Sequence, residues 1–484
     1  MSEYSKIIQG GMGVGVSNWK LAQTVSKAGQ LGVVSGTALD QILARRLQDG
    51  DIGGHMRRAM NAFPCPAMAT RVREIYFIPG GKPEGSPYLA VPLLAKNNPR
   101  DLNELCIVSN FVEIYLAHEG HPNPVGINYL EKIQAALLPC IYGAMLAGVD
   151  YVLMGAGIPL KIPGVLDLFA QHLPAEYNLH VVGAVEGDDT MMRFDPADFI
   201  KTPIAPLLRP KFLAIVSSNT LAITMVKKAN GKVDGLIVET RTAGGHNAPP
   251  RGKLQLTSIG EPIYGIRDDI DMPKLCELGV PFWLAGGYGH SEKLREALAQ
   301  GATGIQVGTA FEFASESGLR EDYKQALIDK VIAGNASVFT DPLASPTGFP
   351  FKVAQLEGTY SEPELYTSRP RICNLGFLRE AYRTPDGEVG YRCGAEPLSL
   401  YLSKGGHAAD TIGRKCICNG LLANVGFPQV LNGNRVELGI VTAGDDLNTI
   451  LQFLPPNQTH YSALDVIAEL QKGYTSATSH STAA

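Results

Sequence analysis

The chain has 484 residues, of which 45% are hydrophobic, and its formal net charge at pH 7 is −5. A chain of this length can bury a large core and exceeds the usual size of one domain, so we expect one large domain with an appendage. The acidic balance and the lack of a dense Lys/Arg run argue against a nucleic-acid-binding surface.

The amino-terminal sequence MSEYSKIIQGGMG has no basic segment followed by an apolar one, and no uninterrupted apolar stretch of about 18 residues occurs in the chain. Eight cysteines in so long a chain are too few for a disulfide scaffold. We therefore expect a soluble, cytoplasmic protein with reduced thiols and no membrane partner.

Eight short apolar or β-branched runs, several of which end in glycine or a polar residue, are typical of buried parallel strands. They lie at 6–12, 31–36, 125–130, 151–157, 212–218, 235–240, 282–287 and 304–309. Helical patterns lie between several of them, at 17–29, 131–148, 219–230 and 291–301. This alternation predicts an α/β fold, a (β/α)8 TIM barrel, whose functional residues lie at the carboxyl ends of the strands.

The barrel is predicted to span residues 1–339, with insertions at about 37–122 and 174–210, because these segments are too long for one connection. Beyond it the sequence becomes rich in turns and aromatic residues, and 340–472 is predicted to be a C-terminal cap or subdomain. Residues 473–484 are small and polar, and we expect them to be disordered.

Glycines follow the last three predicted strands. Gly244 and Gly245 follow the sixth strand, Gly286 and Gly287 the seventh, and Gly308 the eighth. Without a Cβ, the backbone can approach a ligand closely and point its N–H groups at a phosphate, with the Thr309 hydroxyl nearby. Each motif alone could also serve only to make a tight turn.

Five segments in chain order, IIQGGMG, VGINYL, TRTAGGHN, LAGGYG and VGTAFEFASES, resemble the nitronate monooxygenase (2-nitropropane dioxygenase) family of FMN-dependent barrels over about residues 6–318. The segment DPLASPTGFPFK at 341–352 is similar to one in the trans-acting flavin enoyl reductases of polyketide and polyunsaturated fatty-acid synthases. The resemblance implies an FMN barrel and leaves two reactions open.

The resemblance also implies a set of site residues. His246 corresponds to the active-site histidine of the family, and its imidazole, with a pKa near neutral, would abstract a proton or stabilise an anion. The residues implied to bind the flavin are Gly11, Met12, Asn128, Ser217, Ser218, Gly244, Gly245, Gly286, Gly287, Gly308 and Thr309.

The first reaction implied is oxidation of an alkyl nitronate with O2 to a carbonyl compound and nitrite. The alternative is reduction of an enoyl thioester, delivered by an acyl carrier protein, with NAD(P)H as the electron donor. In both readings the redox chemistry belongs to the flavin, and the protein supplies binding and orientation. A flavin-binding protein whose C-terminal region mediates interactions is a third interpretation.

Two further groups of residues are candidates for a functional site. His118 and His121, just before the third strand, are second candidates for a catalytic histidine, although surface loop histidines are common. Cys373, Cys393, Cys416 and Cys418 lack the paired C-x-x-C spacing of metal sites, so we expect buried thiols and no metal.

Overall fold

The computed structural model describes residues 4–201, 204–431 and 435–478. Its strands, in chain order, are β1 (Ile7–Gln9), β2 (Gly32–Ser35), β3 (Val125–Leu130), β4 (Tyr151–Gly155), β5 (Ala175–Asn178), β6 (Val181–Val182), β7 (Met191–Phe194), β8 (Lys211–Val216), β9 (Gly235–Glu239), β10 (Phe282–Ala285), β11 (Gly304–Val307), β12 (Val338–Asp341), β13 (Phe351–Ala354), β14 (Glu380–Arg383), β15 (Val389–Arg392), β16 (Val430–Leu431) and β17 (Arg435–Val436).

The α-helices, in the same order, are α1 (Trp19–Lys27), α2 (Leu39–Gln48), α3 (His55–Asn61), α4 (Pro66–Tyr76), α5 (Arg100–His118), α6 (Leu137–Leu146), α7 (Ile162–Ala170), α8 (Pro196–Phe199), α9 (Asn219–Lys228), α10 (Met272–Cys276), α11 (Ser291–Ala299), α12 (Thr309–Glu312), α13 (Glu321–Ile332), α14 (Pro363–Thr367), α15 (Leu398–Ser403), α16 (Ile417–Asn424) and α17 (Ala463–Thr478).

Eight parallel strands form one sheet in the order β1-β11-β10-β9-β8-β4-β3-β2. The two outer strands of this order meet, because the N–H of Gln9 donates to the carbonyl of Leu31 at 3.0 Å and the N–H of Leu31 donates to the carbonyl of Ile7 at 3.1 Å. The sheet therefore closes into a barrel. The predicted (β/α)8 fold is confirmed, and each barrel strand overlaps one of the eight predicted runs.

Apolar side chains fill the barrel, as a parallel sheet buried on both faces requires. Ile8, Leu153, Leu213, Ile237 and Trp283 belong to one interior cluster. Because successive side chains of a strand point to opposite faces, the residue two places further on faces the interior as well. The last inward-facing residues therefore lie at the carboxyl ends of the strands, where they form the floor of the mouth.

The two predicted insertions carry their own elements. The first contains α2, α3 and α4, followed by α5, which leads into β3. The second contains the antiparallel pair β5–β7 and the short strand β6. Strand β14, from the C-terminal segment, pairs with β15 and also with β6, where Ala381 lies opposite Val181. The segment predicted as a separate subdomain is thus joined to the second insertion by a shared sheet.

The last helix corrects one expectation. Disorder was predicted from residue 473, but α17 continues through Thr478 and packs against α11 and α1. Residues 479–484 lie outside the described part of the chain. Within that part, none of the helices combines the length and apolarity needed to span a bilayer.

Candidate active site

The carboxyl ends of the barrel strands open into a cavity of about 400 Å³. The ends of β1, β3, β8, β9, β10 and β11 all contribute to its wall. The predicted site residues that line it are Gly11, Met12, Asn128, Ser217, Gly244, Gly245, His246, Gly286, Gly287, Gly308 and Thr309. Residues separated by almost 300 positions in sequence therefore surround one space.

Ser218 is the exception among the predicted residues. Its hydroxyl accepts the N–H of Leu221 at 3.1 Å and caps the amino end of α9, and it is not part of the cavity wall. Serine is a favoured N-cap residue because its oxygen satisfies one of the free N–H groups of the first turn. Of the predicted pair Ser217 and Ser218 at the end of the fifth barrel strand, Ser217 alone therefore lines the cavity.

Two glycines are required by close packing at the cavity. A Cβ at Gly11 would lie 2.4 Å from the Cβ of Asn128. Gly286 has a φ of +85°, and a Cβ there would lie 2.5 Å from Oγ1 of Thr240. A side chain at either position would displace the surrounding backbone or fill the space that a ligand would use.

The backbone around the last two barrel strands offers donors to a ligand. Within the described residues, the N–H groups of Gly287, Gly308 and Thr309 have no acceptor in the protein. Buried N–H groups are almost always paired, and several converging N–H groups form an anion-binding concavity. This part of the wall, which we call the glycine cradle (Gly286, Gly287, Gly308 and Thr309), is suited to hold a phosphate.

The C-terminal segment completes the end of the cavity beside the glycine cradle. The sequence did not predict this contribution. Oγ1 of Thr442 accepts the N–H of Gly245 at 2.7 Å, and the N–H of Gly444 donates to Oγ1 of Thr309 at 3.0 Å. Thr442 and Asp446 both line the cavity. The Gly245 N–H, expected to face a phosphate, is therefore already used within the protein.

The loop that carries His246 is fixed by β13. The N–H of Lys352 donates to the carbonyl of Gly245 at 2.9 Å, and the N–H of Asn247 donates to the carbonyl of Pro350 at 2.9 Å. The imidazole packs edge-on against Phe351, with ring centroids 4.8 Å apart. The ring is therefore held in one place before any ligand binds.

The charge state of His246 differs from the expectation of a near-neutral pKa. Burial, with a smaller contribution from the charge of Lys132, lowers the pKa of His246 from 6.5 to about 4. The imidazole is therefore neutral at pH 7 and offers one N–H donor and one free nitrogen. Its Nε2 lies 2.7 Å from Oγ of Ser345, a pairing that orients the ring.

Three carboxyl groups also line the cavity, and none of them was predicted. Glu239 ends β9, Glu312 ends α12, and Asp446 belongs to the C-terminal segment. Burial raises the pKa of Glu239 to about 7, and burial together with the charge of Asp446 raises the pKa of Glu312 to about 8. Glu312 is therefore mostly protonated at neutral pH and does not repel an anion at the cradle.

An apolar part of the cavity wall comes from the C-terminal segment. It consists of Phe349, Phe377, Leu378, Ile417 and Leu421. Apolar walls with a few directed polar groups are typical of sites for small organic ligands. The predicted cap therefore supplies part of the site.

The second histidine candidates lie elsewhere. His118 ends α5 and pairs with Asp150 at 2.9 Å, and His121 contacts the carbonyl of Ala117 at 2.7 Å. Both precede β3, so they lie at the amino ends of the barrel strands and not at the cavity. Neither histidine therefore belongs to this candidate site.

The four C-terminal cysteines contribute to packing. Cys373, Cys393 and Cys416 contact one another in a small buried cluster with Ala395, and Cys418 lines the cavity. No group of three or more His, Cys, Asp or Glu side chains in the described ranges is arranged to hold a metal ion.

The cavity wall has polar groups that fit a flavin. Oδ1 of Asn128 and Oε1 of Gln306 are buried without a hydrogen-bond partner, and both residues line the cavity. Such acceptors suit the N–H of a flavin ring, while the glycine cradle suits its phosphate. The residues present therefore fit the group that the sequence implied.

Comparison with known families agrees with this site. The sequence profile described as nitronate monooxygenase matches residues 202–340, which contain β8 to β11 and half of the glycines that line the cavity. The predicted resemblance to this family is confirmed.

Two relatives illustrate the extent of the match. A nitronate monooxygenase of Paraburkholderia phytofirmans is 26% identical over 236 residues, which is 48% of this chain and 57% of the relative. A (3aS,4S,5R,7aS)-5-hydroxy-7a-methyl-1-oxo-octahydro-1H-indene-4-carboxyl-CoA dehydrogenase of Mycobacterium tuberculosis is 30% identical over 110 residues, covering 22% of this chain and 28% of the relative. The chain thus spans little more than half the length of the first relative.

Two solved structures align with this chain over most of its length at low sequence identity. FabK from Thermotoga maritima aligns with a TM-score of 0.48 and 16% identity over 98% of this chain and 94% of its own. A nitroalkane oxidase from Streptomyces ansochromogenes aligns with a TM-score of 0.45 and 14% identity over 98% of this chain and 97% of its own.

Proposed function

We propose that this chain, whose residues 202–340 match the nitronate monooxygenase family, is a flavin-dependent oxidoreductase that holds FMN in the cavity at the barrel mouth. One observation carries the proposal. Glycines from three strand ends, unpaired N–H groups and buried unpaired amide oxygens surround a single cavity with a fixed histidine at its edge. When bound, the flavin supplies hydride and electron transfer.

Of the two reactions considered, we place reduction of an enoyl thioester first. The apolar wall of Phe349, Phe377, Leu378, Ile417 and Leu421 suits an acyl chain better than it suits a short nitronate. One relative is named as a carboxyl-CoA dehydrogenase, an enzyme of a thioester. The ranking from sequence alone, in which nitronate oxidation came first, is thereby reversed.

The charges at the cavity favour the same choice. Within the described residues, no Lys or Arg lines the cavity, and His246 is neutral at pH 7. A nitronate is an anion and would gain most from a cationic partner, whereas a thioester carbonyl needs only an N–H donor. A neutral imidazole can supply that donor.

His246 and Ser345 would then have separate roles in this reaction: Ser345 orients the imidazole, and His246 donates a hydrogen bond to the substrate. If the Ser345 hydroxyl donates to Nε2, the proton of the imidazole resides on Nδ1, which has no partner among the described residues. Nδ1–H can donate to the thioester carbonyl and draw electron density from the β-carbon, which accepts the hydride. The reaction consumes one NAD(P)H and one proton for each double bond reduced.

Oxidation of nitronates with O2 is kept as the second candidate, because the profile that matches residues 202–340 carries that description. An acyl carrier protein as the donor of the thioester, and a cytoplasmic location, stay predictions from the sequence.

Two assays on the purified protein separate the reactions. Under anaerobic conditions, NADPH oxidation that depends on added crotonyl-CoA supports the reductase. Oxygen uptake with nitrite release on propyl nitronate, without NADPH consumption, supports the nitronate reaction and contradicts our first choice. His246→Ala is measured in both assays, since a large loss of turnover in that variant assigns the activity to this cavity.

A further inference from the structure

Four cysteines of the C-terminal segment surround a second, much smaller cavity of about 10 Å³. They are Cys373, Cys393, Cys416 and Cys418. Half of the eight cysteines of the chain are therefore gathered at one point, and the proposed reaction uses none of them.

Two of these thiols are in direct contact. The thiol of Cys393 donates a hydrogen bond to the sulfur of Cys373. Cys416 packs beside them but has partners of its own, the carbonyl of Ile372 at 3.7 Å and the side-chain N–H of Asn419 at 3.3 Å. Two sulfur atoms in hydrogen-bond contact can be joined as a disulfide without a large movement of the backbone.

Cys373 is the more reactive member of this pair. Its side chain is partly exposed, whereas Cys393 is 7% exposed. The hydrogen bond from Cys393, aided by the charge of Arg379, lowers the pKa of Cys373 although burial opposes this effect. The same hydrogen bond and burial raise the pKa of Cys393. Because the thiolate is the nucleophile in thiol oxidation, we expect Cys373 to react first with an oxidant.

A second pair of cysteines provides a matched comparison. The thiols of Cys106 on α5 and Cys140 on α6 also share a hydrogen bond. Both residues are buried, and this hydrogen bond together with burial raises the pKa of Cys106. Contact between thiols is common to the two pairs, whereas an accessible thiol distinguishes the pair of Cys373 and Cys393.

We propose that Cys373 and Cys393 form a reversible oxidation site, at which hydrogen peroxide converts the two thiols to a disulfide within the chain. The Cys373 thiolate attacks the peroxide and becomes a sulfenic acid, and the hydroxide released takes up a proton as water. The Cys393 thiol then displaces the hydroxyl group as a second water. Two thiols and one peroxide thus give one disulfide and two waters, and a dithiol reverses the change by thiol–disulfide exchange.

The disulfide would act on the apolar wall of the larger cavity. Leu378 and Ile417 line both cavities. Phe377, which also belongs to this wall, lies between Cys373 and β14. Drawing Cys373 toward Cys393 shifts the loop that carries Phe377 and Leu378, so the oxidised protein should bind an acyl chain less tightly. This consequence rests on the proposed function, which also provides a source of the oxidant, because reduced flavins give hydrogen peroxide with O2.

The test is mass spectrometry of the purified protein after brief treatment with hydrogen peroxide and blocking of the remaining thiols with N-ethylmaleimide. Trypsin places Cys373 in peptide 372–379, Cys393 in 393–404, and Cys416 with Cys418 in 416–435. We expect peptide 372–379 joined to 393–404, a loss of two free thiols per chain, and recovery of both with dithiothreitol. Cys276→Ser, which removes an exposed thiol elsewhere, should give the same crosslink.

Two variants separate the roles of the pair. Cys393→Ser should stop at the sulfenic acid of Cys373, which dimedone labels on peptide 372–379. Cys373→Ser should give neither the crosslink nor the label, and circular dichroism verifies that both variants fold. In the wild type, peroxide should raise KM for crotonyl-CoA several-fold with a smaller effect on kcat, and dithiothreitol should restore it. Neither variant should show this reversible change.

Other outcomes would overturn the proposal. They are a lack of crosslink at a peroxide dose that oxidises Cys276, a crosslink from 372–379 to 416–435, and oxidation of Cys106 with Cys140 at the same dose. One zinc ion per chain in the purified protein would also contradict it, because thiolates that bind a metal ion are not free to be joined. A crosslink that leaves KM unchanged would refute the effect on the apolar wall. Absence of turnover would contradict only the proposed function, since the crosslink is measured without substrate.

Discussion

The hydroxyl of Ser345 lies 2.7 Å from Nε2 of His246 and 2.8 Å from the hydroxyl of Thr347. The contact between Ser345 and His246 links the C-terminal segment to the loop after β9. Ser345 is fully buried. The imidazole is therefore oriented by a residue 99 positions away in sequence. The segment predicted as a cap thus helps to fix the imidazole at the barrel mouth.

Replacing His246 with alanine should reduce turnover by about 10²- to 10⁴-fold, the usual contribution of a positioned acid–base group. The flavin should be retained, because the glycine cradle and the cavity floor do not depend on the imidazole. The measurement is kcat with saturating enoyl thioester, together with the flavin absorbance of the same sample. Unchanged kcat in a flavin-loaded variant would remove His246 from the mechanism.

The imidazole of His246 should titrate far below the usual range for histidine. Its pKa of about 4 in the folded protein lies below the 6.5 of the unfolded chain, so folding is favoured most above pH 6.5 and loses this contribution as the pH falls toward 4. Histidine ¹H–¹³C NMR follows the ring directly, and His246→Gln assigns the signal. A titration midpoint near pH 6.5 for that signal would contradict the conclusion that burial keeps the imidazole neutral down to about pH 4.

Replacing Thr442 with valine should weaken flavin binding. The change removes the acceptor of the Gly245 N–H, and an unsatisfied buried donor costs about 1–3 kcal/mol, or roughly 5- to 150-fold in affinity if the cost falls on the bound state. Fluorescence titration with FMN measures the change. Thr442→Ser, which keeps the hydroxyl, should bind nearly as the wild type does, and equal affinity for all three proteins would refute a role for this contact.

Flavin affinity should also fall as the pH rises through about 8, where Glu312 loses its proton. A carboxylate beside the glycine cradle would repel the phosphate of FMN, whereas the neutral acid does not. Equilibrium titrations at pH 6.5 and 9 compare the wild type with Glu312→Gln, whose affinity should fall less than that of the wild type over this range, because only Glu239, with a pKa of about 7, still titrates there among these two residues. A decline of the same size in Glu312→Gln would assign the effect to another group.

Much of the barrel could be predicted because its strands are short apolar runs that end in glycine or a polar residue, as at Gly155 and Ser217. The convergence of Gly245, Gly286 and Gly308 followed from the fold, since the carboxyl ends of barrel strands meet at one face. The same geometry explains why His118 and His121 do not reach the cavity: they precede a strand.

Other parts of the site could not be predicted, because no nearby sequence motif marks them. Thr442, Gly444 and Asp446 reach the cradle through long-range packing of an irregular segment. Glu239 and Glu312 are ordinary acidic residues in sequence. Burial raises the pKa of both, and the charge of Asp446 adds to the effect on Glu312. The pKa of His246 was expected near neutral because the burial of its ring depends on long-range packing that a sequence motif does not report.

The flavin content of the purified protein tests the central claim most directly. We predict a yellow protein with absorbance maxima near 370 and 450 nm, roughly the values for oxidised flavins in general, and one flavin released per chain on denaturation. A colourless protein that neither shifts the spectrum nor quenches the fluorescence of added FMN would contradict it.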